Sequence, residues 1–160
     1  MAPAFSASPA LRAILWGGLV AGLGDMIFAF ASYGWRLGVF QSVAGGLMGR
    51  AEARAGGVPT FILGLALHYA IALIWAAIYW IASRRVRLLV TQAIPAGLVY
   101  GAVVFYGMNC VVLPLSALQT KAWPPPFAPG AIAVHMLAVG LPIALATRWF
   151  SVRSAAAVTT

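Results

Sequence analysis

Cysteine is almost missing from this chain: Cys110 is the one example in 160 residues. A single thiol closes no intramolecular disulfide, and without a C-x-x-C or C-x-x-C-H string there is no motif for covalent haem attachment or a zinc knuckle. Acidic residues are nearly as scarce, since Asp25 and Glu52 are the only two. That leaves no carboxylate pair for glycosidase-type chemistry. The two histidines, His68 and His135, are far apart in sequence, and no H-E-x-x-H string exists. Ser32, Ser42, Ser83 and Ser116 lack a nucleophile-elbow context, and the glycines form no phosphate-cradling loop between a strand and a helix. The residues therefore point away from an enzyme.

Charge of either sign is also sparse. Charged residues make up 8% of the chain, against about 25% in a soluble domain, too few to cover a water-facing surface. Apolar residues make up 63%, so the natural solvent is lipid. The net charge of +8 comes from ten basic residues scattered near the ends of apolar runs. There they can reach lipid headgroups. This distribution suits anionic lipid as a partner and forms no continuous patch for nucleic acid.

Four long apolar runs are present. About 20 helical residues cross a hydrocarbon core, and the runs fall at about residues 11–33, 59–83, 88–115 and 128–150. Backbone groups in lipid must be satisfied within their own segment, so each run is expected to be a helix. The string Ala29-Phe30-Ala31 resembles a signal-peptide cleavage site, but Asp25 interrupts the apolar stretch and the preceding charge is thin, so the first run reads as a span. Pro59 suits a first helical turn, and Pro95 is expected to bend the third span. Residues 35–57 differ. They are glycine-rich and carry Arg36, Arg50, Glu52 and Arg54, with Leu37, Phe40, Val43, Ala44, Leu47 and Met48 recurring at helical spacing. That pattern predicts an amphipathic segment in the interface, with a glycine-rich connecting loop as the alternative. The expected architecture is an all-α, four-transmembrane-helix bundle forming a single membrane domain over residues 11–153. The interfacial segment lies between helices 1 and 2, and disordered ends cover residues 1–10 and 154–160. Trp16, Trp35, Trp80, Trp123 and Trp149 fall near span ends and read as interface anchors, and Trp75 as packing.

Each span carries a polar residue well inside its apolar stretch: Asp25, His68, Asn109 and His135 in turn. Counting from the outer ends of the spans puts Asp25 about 12 Å deep, His68 about 13 Å, His135 about 10 Å and Asn109 about 9 Å. The four are expected to form one polar layer in the outer half of the membrane. Gly18 and Gly22, seven and three residues before Asp25, make a G-x-x-x-G pair, and Gly97 and Gly101 repeat it on the third span. Such pairs let helices approach closely. Pro142 removes a helical hydrogen bond and frees the Ala138 carbonyl, one turn beyond His135, so a kink is expected there.

A carboxylate and two imidazoles in a low-dielectric bundle can exchange protons, which suits proton-linked or small-solute transport. Three other readings stand beside this one. The polar residues can be a structural pair that only holds helices together. The chain can be an accessory subunit docking a larger membrane protein through its Gly/Ala faces, or assembling with copies of itself. Two histidines can hold a b-type haem, or with Asp25 a divalent metal, although no ligand motif calls for a cofactor. Basic residues favour one side, with Arg12, Arg84, Arg85, Arg87, Arg148 and Arg153 against Arg36, Arg50, Arg54 and Lys121. By the positive-inside rule this excess puts both termini in the cytoplasm.

The order of His68 near the start of a span, Pro114-Leu115-Ser116-Ala117-Leu118, Pro125-Pro126-Phe127 and His135 early in the last span resembles bacterial inner-membrane proteins of the YagU-like type. The resemblance covers roughly the last two thirds of the chain. It departs in the first third, where a glycine-rich segment replaces a longer polar insertion. It implies a bacterial inner-membrane location and brings no activity or site residues with it.

Overall fold

The computed structural model describes residues 8–34 and 36–156. The expected disorder of residues 1–7 and 157–160, and the anchor role of Trp35, lie outside the described residues. Among those described there are helices and no strand. The elements are α1 (Pro9–Tyr33), α2 (Gly38–Met48), α3 (Arg50–Ala55), α4 (Gly57–Ser83), α5 (Leu88–Thr91), α6 (Ala93–Gly107), a π-helical segment at Met108–Val112, α7 (Leu113–Leu115), α8 (Pro129–Val134), a second π-helical segment at His135–Gly140, and α9 (Leu141–Ala156). Four runs are long and apolar enough to cross a membrane: Pro9–Tyr33, Gly57–Ser83, Ala93–Leu115 and Pro129–Arg153. The chain is an all-α, multi-pass membrane protein.

Packing is inside out relative to a soluble bundle. The α1 stripe that is buried consists of Ala13, Gly17, Gly18, Ala21 and Gly22, while Leu19, Val20, Leu23 and Ile27 point outward. Lipid tails solvate Leu and Ile as well as another helix does, so close backbone approach between small residues is what joins the helices. Gly18 lies against the backbone of Leu73 and Gly22 against Tyr69 and Ala72, which seats α1 on α4. Gly17 meets Ile143 on α9. Gly97 and Gly101 meet Gly140, Leu141, His135 and Met136, so the second G-x-x-x-G pair forms the seam between the third and fourth spans. Tyr79 and Tyr100 stack edge to face and donate to the carbonyls of Leu89 and Trp75. These contacts tie the second span to the third.

Helix boundaries depart from expectation at several points, each for a local reason. Ser8 accepts a hydrogen bond from Leu11 N–H and caps α1, which therefore starts at Pro9 rather than after residue 10. The fourth span continues to Ala156, past the expected start of a disordered tail. The third span is not one bent helix. It breaks at Gln92, and Pro95 falls in the first turn of α6, where its missing N–H has no partner to lose. Pro142 lies two residues after the second π segment, as Pro114 lies two residues after the first. Both irregular segments thus adjoin a proline, which cannot supply the regular helical hydrogen bond. The Ala138 carbonyl freed by Pro142 lies against Gly24, where a Cβ would sit 2.9 Å from it.

The segment after α1 is helical, and its buried face overlaps the expected one at Phe40 and Ala44 but is rotated toward Gln41 and Gly45. Phe40, Gln41, Ala44 and Gly45 are buried on α2, whereas Leu37 and Leu47 are exposed. Gln41 is drawn inward because its amide donates to the Gly57 carbonyl and to Thr60 Oγ1. Gly64 has no side chain to oppose the Phe40 carbonyl, so α2 lies directly on α4. From the other side, Ala117 N–H donates to the Gly46 carbonyl and clamps α2 under the Ser116–Leu118 turn.

Candidate functional site

Asp25 lies three and four residues after Gly22 and Ala21, so it shares the small-residue face that α1 turns to its neighbours. His68 lies four residues after Gly64 on α4, on the face that α2 covers. His135 opens the second π segment. These three placements bring the side chains together. His68 Nδ1 is 3.9 Å from one Asp25 oxygen and His135 Nε2 is 3.8 Å from the other. The carboxylate is therefore held between two imidazoles from two other spans.

The other nitrogen of each ring is already committed. His68 Nε2 is 2.8 Å from the Gly22 carbonyl and His135 Nδ1 is 2.9 Å from the Ala131 carbonyl. A carbonyl oxygen only accepts, so both nitrogens must be protonated donors. In the neutral rings the nitrogens facing Asp25 then carry lone pairs. An ionised Asp25 between two lone pairs has no hydrogen to share, and one or two added protons change that. The charge of the group runs from −1 to +1 as it fills. The 3.8–3.9 Å gaps exceed direct hydrogen-bond length, and a bridging water or a small closure would span them. Ring edges hold the imidazoles in place: Phe40 and Tyr69 flank His68, and Phe105 flanks His135.

Asn109 is not part of this group. Its amide donates to the Phe105 carbonyl of its own helix at 2.8 Å, and no hydrogen bond or ion pair among the described residues joins it to the other three. Cys110 sits beside it, half-buried and unpaired with another cysteine. A bis-histidine haem needs two ring nitrogens facing one iron. Here the free nitrogens face a carboxylate, so the donor set does not fit that group. No cluster of three or more His, Cys, Asp or Glu arranged to hold a metal ion occurs among the described residues.

Two cavities adjoin at Asp25. The outer one has a volume of about 590 Å³ and is lined by Tyr33, Arg36, Ser42, Arg50 and Arg54, with Asp25 and His68 at its floor. The inner one, about 180 Å³, is lined by Ala72, Trp75, Val104, Met108 and Val139 together with Asp25, His68 and His135. Asp25, Val43 and His68 line both. Asp25 thus stands on the wall shared by an arginine-lined vestibule and an apolar chamber. Sequence reasoning missed this vestibule because it read Arg36, Arg50 and Arg54 as charges of an interfacial segment and as orientation charges, not as a group around one space. The i, i+4 spacing of Arg50 and Arg54 was the signal that they share a face. Compared with known protein families, curated proteins and solved structures, the chain matches none.

Proposed function

We propose that this is a bacterial inner-membrane protein that couples proton uptake to passage of a small solute, with Asp25, His68 and His135 as the proton-holding group. The observation that carries the reading is the pair of lone-pair nitrogens 3.9 and 3.8 Å from one carboxylate that lines two cavities. A purely structural Asp–His pair gains most when a donor nitrogen faces the carboxylate. Here both donors are turned to backbone carbonyls. Charge in a span is costly, and a group that changes charge by single protons beside a cavity is suited to a proton path.

The excess of arginine at the ends of the spans near Arg12, Arg84 and Arg148 supports cytoplasmic termini, which puts the vestibule on the periplasmic side. The resemblance to YagU-like proteins supports the inner membrane. The accessory-subunit reading loses its named surfaces, because both G-x-x-x-G pairs are consumed within the chain. Proteoliposomes loaded with a pH-sensitive dye and driven by a potassium gradient with valinomycin test the function. Wild type is expected to pass protons, and Asp25→Asn to lower the rate by about 100-fold. Equal rates in the two proteins would remove Asp25 from any coupling role.

A further inference from the structure

The outer cavity holds more positive charge than anything near it balances. Arg36 comes from the turn after α1, and Arg50 and Arg54 lie one helical turn apart on α3, so three exposed arginines from two parts of the chain line one space. None of them takes part in a salt bridge among the described residues, where both ion pairs belong to Asp25. Glu52, the other acid, lies two residues from Arg50 and two from Arg54, a spacing that faces away from both on a helix. Like charges that line one space repel, and a bound anion lowers that cost. Arginine in particular presents a planar fork that matches carboxylate and phosphate oxygens. At about 590 Å³ the space is of the size that takes a small molecule.

We propose that this vestibule binds a small oxyanion, phosphate or carboxylate, through Arg36, Arg50 and Arg54. Resting on the transport reading, this names the class of solute that enters beside the proton-holding group. A proton taken up at the floor cancels charge that would otherwise repel the anion, which gives the coupling a physical basis. The same chemistry can come from a free anion or from an anionic lipid headgroup reaching in from the bilayer.

Calorimetry with inorganic phosphate on the full chain in phosphatidylcholine nanodiscs tests the free source. Native mass spectrometry of protein extracted from phosphatidylglycerol-containing bilayers tests the lipid source. Wild type is expected to bind phosphate or to retain phosphatidylglycerol. The triple variant Arg36→Gln, Arg50→Gln and Arg54→Gln should weaken that binding roughly tenfold or more. Since the triple change can disturb α3, Arg54→Gln alone is the second variant, expected to weaken it several-fold. Arg84→Gln with Arg85→Gln removes charge at the opposite end and should leave phosphate binding unchanged. Capture of neither ligand by wild type overturns the site, as does equal binding by wild type and the arginine variants. The two readings fail separately. Phosphate binding without proton flux leaves the oxyanion site standing and removes transport, whereas Asp25-dependent flux with no captured oxyanion does the reverse.

Discussion

At the scale of single residues, the arrangement around Asp25 depends on which nitrogen each histidine spends on a carbonyl. His68 gives Nε2 to Gly22 and His135 gives Nδ1 to Ala131, so opposite tautomers each turn an unprotonated nitrogen to the carboxylate. Groups that share protons act as a unit, and their replacements are expected not to add. His68→Gln and His135→Gln should each lower proton flux. The double variants Asp25→Asn with His68→Gln and Asp25→Asn with His135→Gln should be no slower than Asp25→Asn alone. Full additivity in vesicle flux would mean that the residues work independently. Asp25 and the histidines stood out in the sequence because polar residues are rare in such runs. Asn109 stood out for the same reason, yet its amide turns back to Phe105. Counting depth could not separate the two cases, since a side chain on a helix can satisfy itself locally.

At the scale of elements, glycine decides where helices touch. Gly140 lies against the backbone of Gly97 and Gly101, with no flexible side chain to move aside, while Gly130 on α8 has nothing within 4 Å of where a Cβ would be. Gly140→Ala should therefore separate the third and fourth spans and cost on the order of 3 kcal/mol. Gly130→Ala should stabilise its helix by about 0.5 kcal/mol. Unfolding titrations in mixed detergent micelles would compare them, and equal effects would mean that the seam is not where stability resides. The π segments belong to the same scale. One carries Asn109 and the other begins at His135, and each adjoins a proline. Prolines in the sequence marked where regular hydrogen bonding must fail. Whether the failure would be taken up as a break, as at Gln92, or as a wide turn, as at His135, depended on what packed alongside.

At the scale of the whole molecule, many large apolar side chains face outward, while alanine and glycine with a few large residues such as Phe40, Tyr79 and Ile143 make up the interior, so the bundle is suited to lipid. The vestibule and α3 lie at one end, and the Arg84–Arg87 turn at the other. Topology has a direct check in a Cys110→Ser background. Ser42→Cys should react with a membrane-impermeant maleimide added to intact spheroplasts, while Thr91→Cys should react only after permeabilisation. The reverse pattern would turn the protein over and place the arginine vestibule in the cytoplasm.

Composition and the length of the apolar runs determined by themselves that four helices span a membrane, because lipid permits almost no other way to satisfy a backbone. They also determined which spans carry polar residues. Tertiary packing alone decided that Asp25, His68 and His135 meet while Asn109 does not, and that Gln41 rather than Leu37 or Leu47 turns inward on α2. It also decided that three arginines share one cavity. The physical reason is that hydropathy is a property of each segment taken singly. Rotation of a helix about its axis is set by contacts such as Phe40 on Gly64 and Gly101 on Met136, and those arise only when the segments are assembled.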